Sequence, residues 1–136
     1  MIIVCYDGCE DAQAAADHVT RAFRGKPATV LTVWEPYAEV LASSELGLGS
    51  GFGVGYDRDT AGLDAQLLER AQKTAEEGAR RLRAAGMGAD ALVEASDGSI
   101  ARTVLAVAMR VDAEAVVVGT RERGRAMSRA PRQRAP

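Results

Sequence analysis

The stretch Ile2-Ile3-Val4-Cys5-Tyr6-Asp7-Gly8 decides the fold. Its first five residues are apolar without a break, so neither face of a strand built from them is polar. That is the pattern of a strand buried on both sides, as in parallel sheets covered by helices. Asp7-Gly8 ends the run with turn chemistry. From Asp11 to about Arg24 the apolar positions Ala12, Ala15, Ala16, Val19, Ala22 and Phe23 recur at helical spacing, and Gly25 and Pro27 close the segment. Residues 28–34, rich in β-branched and aromatic types, then predict a second strand that Glu35-Pro36 terminates.

The same alternation returns further along. Thr60 is expected to cap a long helix running to about Ala85, with Leu63, Leu67, Ala71, Ala75, Gly78 and Leu82 facing inward and Gly86 ending it. Residues 89–95 read as a strand, Ser99–Arg110 as a helix and Ala115–Val118 as a further buried strand. Strands that alternate with helices of this length need crossover connections, and these are right-handed. The expected fold is therefore α/β, a doubly wound open parallel sheet with helices on both faces. Ligands of such sheets sit beyond the carboxyl ends of the strands, where strand order reverses. Those ends are Tyr6-Asp7-Gly8, Val33-Trp34-Glu35, Ser96-Asp97-Gly98 and Gly119-Thr120-Arg121.

A chain of 136 residues with 47% apolar content is the size of one domain and can bury a core without disulfides or a structural metal. No apolar run is long enough to cross a bilayer as a helix, and the first strand begins at once, so a soluble, untargeted, cytoplasmic protein is expected. Cys5 and Cys9 match neither a redox pair nor a metal knuckle. Residues 1–118 carry 11 basic and 18 acidic side chains, whereas residues 119–136 carry 6 and 1. An acidic body repels phosphates, which makes nucleic acid a poor partner; only Arg121, Arg123, Arg125, Arg129, Arg132 and Arg134 could attract it, and a solvated tail accounts for them.

No nucleophile, base and oxyanion donor converge in the sequence, so a non-enzymatic role is expected. His18 stands alone on the first helix and reads as a surface residue. The alternating glycines from Gly47 to Gly55 neither follow a strand nor open a helix, which phosphate cradles require, and they read as a loop. Asp97 and Ser99 read as the cap of the third helix, with Ser99 beside the crevice of Asp7. Cys9 lies near the first helix's N-terminus, where a thiol is either a tolerated small residue or an activated one.

Taken together, four features resemble the universal stress protein family. They are Asp7-Gly8 after the first strand, Thr32-Val33-Trp34-Glu35-Pro36 closing the second, Asp97-Gly98-Ser99-Ile100 opening the third helix, and Asp112-Ala113-Glu114-Ala115-Val116-Val117-Val118-Gly119-Thr120-Arg121. The resemblance covers about residues 1–124, taken as the domain, and leaves residues 125–136 as a flexible arginine- and proline-containing tail. It implies a stress-response protein whose adenine-nucleotide crevice would use Asp7 for the nucleoside, the Val33 backbone for the adenine, and Gly119 and Thr120 at the start of the phosphate-binding segment.

The family's nucleotide binders continue from the fourth strand with Gly, two residues, Gly, nine residues, then Gly-Ser or Gly-Thr. Bare backbone N–H groups must approach phosphate oxygens there, and the last pair opens a helix whose N-terminus favours anions. Counting from Gly119, this chain has Glu122, Arg132 and Gln133 instead. The crevice is therefore expected to be vestigial or weak, binding ATP or AMP poorly. The family's final helix and apolar fifth strand have no counterpart after Val118, which a truncated or frameshifted product and a divergent tail explain equally well. The alternatives are an ATP-binding regulatory switch and a protein-interaction module, or homo-oligomer, that uses the sheet edge left exposed.

Overall fold

The computed structural model describes residues 1–37 and 58–120. The glycine-rich stretch 47–55, Glu122, Arg132, Gln133, the tail from residue 125 and the question of a fifth strand lie outside the described residues. The elements are β1 (Ile2–Cys5), α1 (Glu10–Ala22), β2 (Ala28–Trp34), α2 (Arg58–Ala84), β3 (Ala89–Ala95), α3 (Ile100–Arg110) and β4 (Ala115–Val118). They form one parallel four-stranded sheet in the order β3-β2-β1-β4. β1, continuous apolar sequence on both faces, occupies an interior position and is almost fully buried.

Helices cover both faces. On one side α1 and α2 pack onto Ile2, Val4, Tyr6, Ala28 and Val30, with Ala12, Ala16, Val19, Ala79 and Leu82 as the helical contribution. Small side chains let both helices come close, and Gly78 shows the limit: a Cβ there would lie 2.8 Å from Val30 and 2.9 Å from the Tyr6 ring. On the other side α3 packs Val107 against Ile3 and Leu31, with Val104, Ala108, Val33 and Leu92 partly buried around them.

Three expectations are corrected. α2 begins at Arg58, so Thr60 lies inside the helix and does not cap it. Leu63 is exposed and Leu67 half-buried, because the inward stripe of α2 reaches the sheet only from Ala71 onward; Ala22, in the last turn of α1, is also exposed. β4 is not buried on both faces. Ala115 and Val117 pack against the α1 side, while Val116 and Val118 are 37% and 56% exposed on the other.

Candidate functional site

The strand order places the reversal between β1 and β4, since the chain steps from β1 out to β2 and β3 and returns on the far side of β1. Cys5 pairs with Leu31 on one flank and with Val118 on the other. Asp7, Val33 and Thr120 each lie two residues further along the chain from this paired level. The parallel registers thus bring the four residues singled out from the sequence, Asp7, Val33, Gly119 and Thr120, to one end of the sheet at its switch point.

The corner from β1 to α1 is built by local hydrogen bonds. The Tyr6 N–H donates to the Leu31 carbonyl at 2.9 Å, and the Thr32 hydroxyl donates to the Tyr6 carbonyl at 2.8 Å, tying the ends of β1 and β2 together. Asp7 is exposed, and its Oδ1 accepts the Cys9 N–H at 2.9 Å. Cys9 is the N-cap of α1, its Sγ accepting the Ala12 N–H at 3.4 Å, the role a serine would fill with a stronger acceptor. Glu10 and Asp11 follow in the first turn, so the positive end of α1 meets its own carboxylates.

Gly119 sits against that same turn. A Cβ on Gly119 would lie 2.5 Å from the Asp11 carbonyl oxygen and 2.7 Å from the Ala12 nitrogen, both backbone atoms that cannot swing aside. The end of β4 therefore touches the opening of α1 directly, and only glycine fits. The sequence points to this glycine only as the start of a phosphate-binding segment; its packing requirement arises from the tertiary pairing of β1 with β4, which brings the end of β4 to the opening of α1.

Ser99 and Asp97 stand elsewhere along the sheet end. Ser99 caps α3, its hydroxyl accepting the Arg102 N–H at 3.1 Å, as the sequence predicts. Asp97 is not the cap: its backbone N–H donates to the Thr103 hydroxyl, which donates onward to the Ser99 carbonyl. Both residues follow β3, an edge strand separated from β1 by β2. Cys5 and Cys9 pack into clusters on opposite faces of the sheet and so do not meet, and burial pushes the Cys5 thiol pKa up. His18 is exposed.

Beneath the corner lies a pair not anticipated from the sequence. The buried Tyr6 ring donates its hydroxyl to Glu77 Oε1 at 3.0 Å, and burial together with that carboxylate pushes the phenol pKa up to about 12. Beside it the Arg81 guanidinium grips Asp17 through Nε at 2.9 Å and Nη2 at 3.1 Å, linking α2 to α1 and holding the Asp17 carboxyl below its usual range. Among the described residues no group of three or more His, Cys, Asp or Glu side chains could hold a metal ion, and no helix is long and apolar enough to cross a membrane.

The model of the universal stress protein family matches residues 1–129. The chain belongs to the universal stress protein family. Its fold is similar to that of a universal stress protein family member from Burkholderia pseudomallei, with a TM-score of 0.66 and 18% identity over 88% of this chain and 80% of that one. The universal stress protein from Archaeoglobus fulgidus superimposes with a TM-score of 0.59 at 21% identity, covering 90% of this chain and 77% of that one. A universal stress protein solved in complex with cAMP gives 0.50 at 19% identity, covering 86% and 73%. Among curated proteins, none matches the sequence.

Proposed function

We propose that this universal stress protein is a non-enzymatic stress-response protein whose crevice at the β1/β4 switch point takes the adenosine part of a nucleotide and holds phosphates weakly. The observation that supports the reading is the strand order, which puts the carboxyl ends of β1, β2 and β4 side by side, with Asp7, Val33 and Thr120 each two residues beyond the last paired level of β1. It sets a carboxylate that can accept from ribose hydroxyls beside a strand-end backbone that can pair with an adenine edge. A universal stress protein of similar fold has been solved in complex with cAMP, which supports a nucleotide as the class of ligand.

The phosphate half is unfavourable on charge. Glu10 and Asp11 already occupy the electrostatic niche at the N-terminus of α1, the amides of Cys9 and Ala12 are spent on the corner, and Glu122 follows two residues after Thr120. Titration calorimetry with ATP and magnesium, and separately with AMP and adenosine, tests this. Adenosine or AMP is expected to bind better than ATP, and Asp7→Ala to weaken both. A low-micromolar ATP constant, roughly −8 kcal/mol, would favour the ATP-dependent switch instead. Absence of any adenosine binding would leave the sheet edge at β4 as the functional surface, the role of an interaction module.

A further inference from the structure

Where β1 leaves the sheet, one rung of the ladder to β2 is replaced by a side chain. The parallel pairing of the two strands ends with Cys5 opposite Leu31, and the Tyr6 N–H still reaches the Leu31 carbonyl at 2.9 Å. In a parallel ladder the next rung would run from the Val33 N–H to the Tyr6 carbonyl. Leu31 and Val33 turn their backbone groups toward β1, whereas Trp34 turns its carbonyl the other way, to the Ser96 N–H that follows β3. That next rung is not formed. The Tyr6 carbonyl accepts instead from the Thr32 hydroxyl at 2.8 Å, on a side chain only 7% exposed. Among the described residues, no group on β1 takes the Val33 N–H.

We propose that Thr32 is a positioning residue of the switch-point crevice: its hydroxyl stands in for the Val33 N–H on the Tyr6 carbonyl, stops the ladder one rung short and keeps that N–H for a ligand. The inference rests on the nucleotide reading above, in which the Val33 backbone pairs with an adenine edge. A buried carbonyl has to be satisfied. With a side chain that lacks the hydroxyl, the donor in register is the Val33 N–H itself, and closing that rung consumes the group the base needs. Valine keeps the shape and β-branching of Thr32 without the donor; serine keeps the donor. The same bond holds the Tyr6 carbonyl, and Asp7 is the next residue, so one hydroxyl acts on both the adenine side and the carboxylate side of the crevice. An N–H donor suits ring N1 of adenosine, an acceptor, and opposes inosine, whose N1 carries a hydrogen.

Residue-resolved amide exchange and ligand titration of the full chain test this together. In the parent, the Val33 amide should exchange faster than the Leu31 amide inside the ladder, and should slow when adenosine is added. Thr32→Val should slow Val33 exchange without ligand by about tenfold or more as the rung closes, weaken adenosine roughly fivefold and narrow its preference over inosine. Thr32→Ser should restore all three. A Thr32→Val chain with unchanged Val33 exchange, or with unchanged adenosine affinity and preference, overturns the proposal. So does a parent whose Val33 amide is as protected as Leu31 before ligand is added, a comparison that decides the matter even if Thr32→Val fails to fold. Failure of the nucleotide reading looks different: the parent then binds no adenosine, which removes the ligand role of Thr32, while the contrast in Val33 exchange between parent and Thr32→Val persists.

Discussion

The two faces of the sheet are unequal. Under α1 and α2, twelve residues form a continuous buried cluster; under α3 the buried set is Ile3, Leu31 and Val107, ringed by half-buried neighbours. Both faces are written with apolar residues, yet only one is closed by the described helices. Stability contributed by the described residues is therefore concentrated on the α1/α2 face.

Truncation probes this inequality most strongly. Leu82→Ala removes a fully buried side chain between α2 and the sheet and should cost about 2–5 kcal/mol, whereas Leu105→Ala, at an exposed position, should stay within about 0.5 kcal/mol. Urea denaturation of both variants measures the difference, and equal losses would break the comparison. Gly119→Ala forces a Cβ onto the backbone of Asp11 and Ala12 and should cost about 1–3 kcal/mol. If it instead leaves stability intact while lowering adenosine affinity, the glycine serves the ligand and not the packing.

Smaller effects come from titration. The Tyr6 phenol is raised to about 12 in the folded chain. A raised acid favours its protonated form in the folded state, so the contribution is complete below the unfolded value of about 10 and is lost as pH rises from there through the folded value. Tyr6→Phe should flatten the alkaline limb of the stability profile over that interval. At the acid end the direction reverses. Arg81 lowers the Asp17 pKa, so the pair stabilises above the unfolded carboxyl value of about 4 and fades as pH falls through the folded one. Arg81→Met should differ from the parent only above that range and less in high salt, a small effect because both groups face solvent.

Much of the fold was legible because β1, β2 and β3 announce themselves by composition, and the bounds of β2 and β3 were read to the residue. What the sequence concealed is tertiary. Val116-Val117-Val118 looks buried on both sides, and local pattern does not register that the covering helix lies over β2 and not β4. Leu63 fits the helical stripe of α2, but the sheet does not extend beneath that end of the helix. At the candidate site the positions of Asp7, Val33, Gly119 and Thr120 followed from strand ends and family resemblance. The use of Cys9 as a cap, Thr32 as a tie and Tyr6 with Glu77 as a buried pair depends on which elements become neighbours, and no spacing in the chain records that.

The contact between Gly119 and the first turn of α1 bears on how such chains are read across evolution. A glycine at this place is demanded by the docking of β4 against the first turn of α1 whether or not a ligand binds, so a chain with no phosphate-binding role would still require it. Glycine here is a mark of architecture, and an inventory of nucleotide binders should weigh it below the positions corresponding to Glu122, Arg132 and Gln133.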